Sequence, residues 1–258
     1  MYLLGRVQMM APTPYEDGVK TLMKKGFDGI EFGMSDRQFK PRPEFFAQGF
    51  ADKMKKIMEQ TGVKAFSVSA HFDFTASEEN FNVVKDSIRV AKEMGSPLII
   101  VNGALRNDEE PYETQWNRQI ECCKRLCEVA EKANMPLAME FEPGFVIDNT
   151  ALMLKAFDEI GSPMMKVNLD VGHVFLCDPN PMQAIEDCGP YIVHAHLENM
   201  KTGVHNHLVP YEGDMDLPGY IAKLREVGFD GMAAFDAYQY DYAAVAEESV
   251  KYFKSIFL

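Results

Sequence analysis

The chain has 258 residues, of which 47% are hydrophobic and 25% are charged, and its formal net charge is −13. This length and composition can bury one large core, so we expect a single ordered domain over residues 1–258. The negative charge, without any run of Lys or Arg, argues against a nucleic-acid partner, because phosphate backbones are bound by clustered cations. No apolar run reaches the roughly 18 residues that a membrane span needs, so we predict no membrane partner.

The sequence also predicts a cytoplasmic protein with reduced thiols. The opening Met1-Tyr-Leu-Leu-Gly-Arg6 carries a charge where the core of a secretion signal would be apolar. The five cysteines are an odd number, and Cys122, Cys123 and Cys127 fall on one predicted helix without forming a Cys-x-x-Cys pair. This pattern favours neither a disulfide framework nor a cysteine-bound metal.

In the first half of the chain, short apolar segments alternate with segments of helical periodicity. Strands are predicted over residues 3–9, 30–32, 64–70 and 97–101, each at a short apolar run. Helices are predicted over residues 12–25, 43–61, 78–94 and 110–133. The segment Gly26-Phe-Asp-Gly29 reads as a turn between helix and strand, with Gly26 ending the helix.

The second half repeats this rhythm. Strands are predicted over residues 137–141, 165–170, 191–196 and 232–236. Helices are predicted over residues 149–160, 181–187, 216–227 and 241–255. The turn sequence returns unchanged as Gly228-Phe-Asp-Gly231, again just before a strand, which indicates the same turn chemistry used twice.

Eight strand–helix units in this length predict an α/β protein, a closed (β/α)8 TIM barrel. Strands that are parallel need crossover connections, and the predicted helices supply them. A doubly wound open sheet is the alternative. It is disfavoured because no Gly-rich nucleotide-binding turn follows the first strand.

Carboxylates and histidines recur at the downstream ends of the predicted strands, which form the active-site face of such a barrel. Glu140, Asp170, His196 and Asp236 each end a different strand. All six histidines lie at or just beyond a strand end: His71, His173, His194, His196, His205 and His207. Any one of them is most simply a hydrogen-bonded or surface imidazole, but six on one rim favour a common site. His194 and His196 share one strand face, so one can support the other.

Several carboxylates converging on one barrel mouth would repel each other in a medium of low dielectric constant. The nearest cations in sequence, Lys166 and Lys201, are few. A divalent cation would remove this repulsion. Two or three carboxylates with one imidazole suit Mn²⁺, Mg²⁺, Co²⁺ or Zn²⁺.

At these residues the chain resembles the xylose isomerase-like TIM barrel superfamily, the sugar phosphate isomerase/epimerase and endonuclease IV group. The matching motifs are Glu140 within Met-Glu-Phe-Glu-Pro-Gly, Asp170-x-x-His173, His196, the loop Pro210–Asp216 and Asp236. The resemblance implies one divalent ion, with Mn²⁺ as first choice, bound by Glu140, Asp170, His196 and Asp236. It implies Glu140 and Asp236 as the catalytic acid–base pair. It implies substrate contacts from His71, Glu142, His173, His205 and His207.

The function implied is a divalent-metal-dependent sugar isomerase or epimerase, which moves a proton on a ketose or related polyol ketone through an enediolate. The alternatives are a lyase like inosose dehydratase, a non-catalytic barrel that binds sugar and metal, and, third, a nuclease like endonuclease IV. By analogy the chain can also form a homo-oligomer.

Four positions depart from the family patterns. Tyr211 stands where a first glycine is common in the loop before the last helix. Asp236 is one methylene shorter than the usual Glu, and Val146 stands where ketose 3-epimerases carry a second carboxylate. Asn102 stands near a position where endonuclease IV-like members use His, so a three-metal site is incomplete. A second metal on His173, His205 and His207 is one interpretation of these histidines; polar contact with substrate is the other.

Overall fold

The structure, a computed structural model that describes residues 1–257, is built around a closed barrel of eight parallel strands. The ten strands in the described residues are β1 (Tyr2–Arg6), β2 (Gly29–Gly33), β3 (Ala65–Ala70), β4 (Ile99–Val101), β5 (Leu137–Met139), β6 (Met165–Asp170), β7 (Ile192–Leu197), β8 (Asn199–Lys201), β9 (Val204–Leu208) and β10 (Met232–Phe235). The barrel order is β1-β10-β7-β6-β5-β4-β3-β2, and β8 and β9 form a separate antiparallel hairpin. The predicted fold class is confirmed.

Helices follow the barrel strands and cover the outside. They are α1 (Tyr15–Lys24), α2 (Phe50–Thr61), α3 (Glu78–Met94), α4 (Tyr112–Ala133), α5 (Thr150–Ile160), α6 (Val171–Cys177), α7 (Pro181–Cys188), α8 (Leu217–Glu226) and α9 (Tyr242–Ile256). Short 3-10 helices span Val7–Met10, Pro43–Phe46 and Gly189–Tyr191. Within residues 1–257, no helix combines the length and hydrophobicity that crossing a bilayer requires.

Two predicted elements need correction, and two further elements were not predicted. The first strand ends at Arg6 instead of residue 9, because a 3-10 turn begins at Val7. The helix predicted over 43–61 is divided at Gly49, whose φ of +81° lies in the left-handed region and interrupts the helix. Helix α6 was not predicted, since it directly continues a strand, and neither was the hairpin of β8 and β9.

The repeated turn is confirmed as one piece of backbone chemistry used twice. Gly26 has a φ of +96° and Gly228 a φ of +88°, both in the left-handed region that glycine tolerates best. Each ends the helix before a barrel strand. The two copies therefore deliver β2 and β10, the neighbours of β1 on either side, into the barrel.

Alternation along the strands separates two apolar regions. Ile99 and Val101 belong to the large core between barrel and helices, whereas Leu98, Ile100 and Ala138 form a small separate cluster. Since successive strand residues point to opposite faces, this small cluster occupies the barrel interior. Toward the carboxyl ends of the strands, the interior-facing positions become polar and buried, which places a polar layer at one mouth.

One asparagine on β8 ties the hairpin to the loop that precedes α8. The Asn199 side chain donates to the carbonyl of Pro210 and accepts from the backbone N–H of Met215, both at 2.9 Å. Any Cβ at Gly213 would come within 1.8 Å of the Asn199 Oδ1, so glycine is required there. The loop before α8 and the hairpin are thereby held as one unit above the barrel mouth.

Candidate active site

Four of the predicted side chains meet at the carboxyl rim of the barrel. Glu140 follows β5, Asp170 ends β6, His196 lies near the end of β7 and Asp236 follows β10. Parallel strands place these ends on one rim, although the residues are far apart in sequence. Each side chain is at most 2% exposed.

The three carboxylates surround one ring nitrogen, Nδ1 of His196. The Nδ1 atom of His196 lies 3.2 Å from Oε2 of Glu140, 3.9 Å from Oδ2 of Asp170 and 3.8 Å from Oδ2 of Asp236. Among the described residues, Asp170 Oδ2 and Asp236 Oδ1 are buried oxygens without a hydrogen-bond partner. Unpaired buried carboxylate oxygens are costly, so three carboxylates and an imidazole at this spacing fit a divalent cation.

Glu31 lies behind the histidine of this cluster. Its Oε2 atom is 2.9 Å from His196 Nε2, on the ring edge opposite the other carboxylates. Burial opposes ionisation of Glu31, but Arg6 and His196 together hold its pKa well below the ordinary value. An ionised carboxylate on the far ring nitrogen fixes the orientation of His196 and makes Nδ1 the atom that faces the site.

Arg6 connects Glu31 with the opposite side of the site. Its Nε atom donates to Glu31 Oε1 at 2.8 Å, and its Nη1 atom donates to Asp236 Oδ2. The guanidinium is only 1% exposed. Sequence reasoning placed Arg6 and Glu31 on strands but gave neither a role in the site. Their sequence positions could have indicated a role, because Arg6 ends β1 and Glu31 lies within β2. The carboxyl ends of these strands form the rim that carries the other acids.

His71 joins Arg6 to Glu140. Its Nδ1 atom lies 3.2 Å from Arg6 Nη2, and its Nε2 atom lies 2.8 Å from Glu140 Oε2. A guanidinium has only donors, so Nδ1 of His71 accepts and Nε2 carries the proton given to Glu140. A continuous line of buried contacts therefore runs from Glu140 through His71 and Arg6 to Asp236.

His194 supports Glu140 instead of His196. Its Nδ1 atom donates to Oδ1 of Asn168 at 2.8 Å, and Nδ2 of Asn168 donates to Glu140 Oε2 at 2.6 Å. The other ring nitrogen lies 3.1 Å from the hydroxyl oxygen of Ser67. Burial lowers the pKa of His194 to about 3, so this imidazole is neutral. We expected one of His194 and His196 to support the other. Instead, His194 supports Glu140 through Asn168.

The electrostatics of the cluster favour ionised acids. Burial opposes ionisation of Glu140, but His196 and His71 hold its pKa well below the ordinary value. Burial likewise opposes ionisation of Asp170, and His173 lowers its pKa. Burial would lower the pKa of His196, but Glu140 and Glu31 raise it well above the ordinary value. Without a cation the site therefore holds His196 as an imidazolium between carboxylates.

A second carboxyl group lies close to Asp170. Glu198 is completely buried, and its Oε1 atom accepts from the backbone N–H of Gly172 at 2.7 Å. Burial, with Asp170 and Asp236 nearby, raises the pKa of Glu198 well above the ordinary value. The protonated form of Glu198 needs no cationic partner, which fits its acidic neighbours. Sequence reasoning missed this residue, although it follows His196 by two positions on the same strand face.

Helix α6 places the next two predicted residues. Asp170 is its N-cap, and its Oδ1 atom accepts from the backbone N–H of His173 at 2.8 Å. The cap uses one carboxylate oxygen and leaves Oδ2 facing His196. The Asp-x-x-His spacing thus has a local structural reason, because it sets a capping residue and an imidazole on the first turn of one helix.

Three histidines from two elements meet beside this cap. His173 Nε2 lies 3.1 Å from His205 Nε2, which in turn lies 3.1 Å from His207 Nε2. Strand β9 supplies both His205 and His207. Nδ1 of His173 faces the carbonyl oxygen of Phe141 at 2.8 Å and must donate to it, so Nε2 of a neutral His173 presents a lone pair.

A cavity of about 510 Å³ opens above the cluster. Its lining includes all the predicted catalytic and substrate-contacting residues: His71, Glu140, Glu142, His173, His205, His207 and Asp236. Asp170 and His196 lie beneath it. Burial raises the pKa of Glu142, which sits beside the cluster. Asn102 also lines the cavity, but its Oδ1 atom accepts from the backbone N–H of Phe72 at 3.0 Å.

Two curated relatives share most of their length with this chain. The fructoselysine 3-epimerase of Shigella flexneri is 24% identical over 238 residues, which cover 86% of this chain and 85% of the relative. The 3-dehydroshikimate dehydratase of Bacillus anthracis is 21% identical over 200 residues, which cover 75% of this chain and 69% of the relative. Both are similar to this chain, and their own names describe an epimerase and a dehydratase.

Solved structures agree on the architecture. The IOLI protein, in a crystal structure with a bound zinc atom, superposes with a TM-score of 0.81 at 17% identity, covering 99% of this chain and 96% of its own. This likeness shows the fold. In addition, the family model described as xylose isomerase-like TIM barrel matches residues 19–256. The chain therefore belongs to the xylose isomerase-like TIM barrel family.

Proposed function

We propose that this protein is a divalent-metal-dependent sugar isomerase or epimerase that acts on a ketose or a related polyol ketone. The observation that carries the proposal is the convergence of Glu140, Asp170 and Asp236 on Nδ1 of His196, at the floor of a cavity. The epimerase relative supports the same reaction class.

Glu140, Asp170, His196 and Asp236 would hold the cation, with Mn²⁺ as first choice and Mg²⁺, Co²⁺ or Zn²⁺ as alternatives. The unpartnered Asp170 Oδ2 and Asp236 Oδ1 atoms are free to serve as ligand atoms. When bound, the cation supplies Lewis-acid polarisation of a carbonyl and its neighbouring hydroxyl. Metal ligands of this kind must be deprotonated, so His196 would lose a proton on binding.

Proton transfer is assigned to the two acids that line the cavity. Glu140 and Asp236 approach from different strands, so one carboxylate removes the proton from the carbon between carbonyl and hydroxyl and leaves an enediolate. The other carboxylate returns a proton to that carbon or to its neighbour, which completes epimerisation or isomerisation. His71 and Asn168 hold Oε2 of Glu140, and Arg6 holds Oδ2 of Asp236. The second oxygens face the site: Oε1 of Glu140 lies 3.3 Å from Nδ1 of His196, and Oδ1 of Asp236 has no hydrogen-bond partner among the described residues.

The substrate would be oriented by polar groups on the cavity wall. His71, Glu142 and His173 lie beside the reacting acids and offer donors and acceptors for hydroxyl groups. His205 and His207 reach the same cavity from β9. This division places the acid–base residues on barrel strands and part of the substrate contact on the hairpin.

The alternative role for His173, His205 and His207 is to bind a second cation instead of contacting the substrate directly. Their three Nε2 atoms form a chain with spacings of 3.1 Å, and the Phe141 carbonyl fixes His173 in the tautomer that a metal ligand needs. Metal analysis after dialysis would test this: wild type should hold two ions per chain and His205→Ala one. One ion in both proteins would return these histidines to polar contact with substrate.

A lyase is the second candidate reaction, and the dehydratase relative favours it. Such an enzyme would use the same proton abstraction but expel a hydroxyl group as water from the enediolate. Mass spectrometry of the product separates the two reactions, because dehydration lowers the mass by one water and epimerisation leaves it unchanged. A barrel that binds metal and sugar without catalysis would show full metal content and no exchange of carbon-bound hydrogen.

The decisive experiment follows deuterium entry from D₂O into a panel of ketoses by NMR, with Mn²⁺ present. Wild type should exchange the hydrogen beside the carbonyl, and Glu140→Gln should reduce that rate by about 10³-fold or more while remaining folded by circular dichroism. Glu142→Gln is the matched control, expected to raise KM but to retain exchange. Full activity in Glu140→Gln would contradict the mechanism, and cleavage of abasic-site DNA would favour the nuclease instead.

A further inference from the structure

One outer wall of the cavity is apolar and rigid. Leu105 and Phe145 lie on the loops after β4 and β5, where they pair as an antiparallel bridge. Backbone hydrogen bonds of 3.0 Å and 2.9 Å flank the pair, from Arg106 N–H to the Gly144 carbonyl and from Val146 N–H to the Ala104 carbonyl. Leu105 is nevertheless 66% exposed. A large apolar side chain is thus held in water at the cavity entrance.

A second stretch of the cavity lining is also apolar. Phe39 is 44% exposed and lies against Tyr238, with ring centroids 6.0 Å apart and planes tilted by 31°. The loop that carries Phe39 is tied to the barrel because Arg37 donates to the carbonyl oxygen of Tyr238. Phe39 has a φ of +58°, which a bulky side chain rarely adopts. Phe39 thus contributes an exposed aromatic ring to the cavity lining.

The cavity lining offers an anionic substituent no free cationic side chain. Among the lining residues in the described part of the chain, Arg6 is the only Lys or Arg. Its guanidinium is already paired with Glu31 and Asp236. Two arginines outside the lining also have partners: Arg37 donates to the Tyr238 carbonyl, and Arg106 pairs with Asp108. Beyond the proposed metal ions, a phosphate or carboxylate on the substrate would therefore lose water without gaining a cationic side chain from the lining.

We propose that the substrate is an uncharged keto sugar that carries an apolar aromatic substituent, as in an aryl keto-glycoside. This proposal rests on the proposed function, with the sugar on the polar floor and the substituent against the apolar lining residues Leu105, Phe145 and Phe39. Aromatic rings gain from edge and offset contacts with other rings, which Phe39, Phe72 and Phe145 offer here. A volume of about 510 Å³ lies within the ~300–1,000 Å³ of pockets that enclose drug-sized ligands.

The test compares three substrates that share one sugar: the methyl, 4-methylphenyl and 4-carboxyphenyl 3-keto-β-D-glucopyranosides. Deuterium exchange beside the carbonyl is followed in D₂O, and kcat/KM is measured for each. The 4-methylphenyl compound should exceed the methyl compound by at least ~10-fold, as expected for an added apolar group in a matching pocket. The 4-carboxyphenyl compound has nearly the same size but carries a charge, and it should lose most of that gain.

Two variants test whether Leu105 and Phe39 cause the preference for the 4-methylphenyl compound. Leu105→Ala and Phe39→Ala remove exposed side chains, so the fold should remain intact, and each should reduce the 4-methylphenyl preference about 3- to 10-fold. Tyr2→Ala is the matched control: Tyr2 is 46% exposed but begins β1, at the opposite end of the barrel. The preference of Tyr2→Ala for the 4-methylphenyl compound should equal that of wild type.

Equal kcat/KM for the methyl and 4-methylphenyl compounds, or a preference for the carboxylate, would overturn the inference. If simple ketoses exchange while the aryl compound does not, the substrate class is wrong but the proposed reaction stands. If no compound exchanges in the metal-loaded enzyme, the proposed function fails and the inference fails with it.

Discussion

Replacing Arg6 with methionine isolates the electrostatic role of the guanidinium. Arg6, Glu31 and Asp236 are 1%, 0% and 2% exposed, so the variant removes a buried cation from two carboxylates and leaves Glu31 with His196 as its charged partner. Removing one partner of a buried ion pair costs about 3–5 kcal/mol. For a chain of this size, 1 kcal/mol shifts the melting temperature by about 2–4 °C. In metal-free buffer we therefore expect Arg6→Met to melt about 6–20 °C below wild type.

The measurement is a thermal melt followed by circular dichroism, first with chelator and then with Mn²⁺. A bound cation would compensate Asp236, so the difference between variant and wild type should narrow when Mn²⁺ is added. Arg118→Met is the matched control, because Arg118 pairs with Glu110 at 2.8 Å on the surface, where water screens the charges. A metal-free Arg6→Met melting within about 2 °C of wild type would refute the reasoning, which predicts a loss of several kcal/mol.

Three further predictions concern the same cluster and the thiols. Glu31→Gln should weaken Mn²⁺ binding about 10- to 100-fold in calorimetry without removing a ligand, because the orientation of His196 is lost; unchanged affinity would contradict this. The raised pKa of His196 means that cation binding releases a proton, so affinity should fall as pH falls, and calorimetry in buffers of different ionisation enthalpy should detect the proton. Burial raises the pKa of Cys123 and of Cys188 to about 12, so both thiols should react with a disulfide reagent only after unfolding.

The fold and the main cluster could be predicted because they depend on regularities that are local in sequence. Apolar runs at regular spacing identify parallel strands, and a strand end that carries Glu140 or Asp170 must lie at the same rim as one that carries Asp236. The structure brings these acids and His196 together as predicted. Their roles as metal ligands and bases stay predictions.

Other parts of the site depend on contacts that no local pattern encodes. Arg6 is a lone cation on the first strand, and only barrel closure brings it against Asp236, 230 positions later. Glu198 reads as an ordinary loop acid until its burial beside Asp170 is known. Helix α6 begins directly where a strand ends, so its seven residues left no separate periodic signal. In each case the prediction would have needed tertiary contacts that the local sequence does not specify.

The hairpin separates part of the cavity wall from the barrel. His205 and His207 lie on β9, outside the closed barrel sheet, and the hairpin is tied to the loop before α8 through Asn199. Substitutions at these two histidines would therefore leave the packing of the barrel interior unchanged. The proposed substrate contacts of the hairpin can be redesigned independently of the proposed acid–base residues on the barrel.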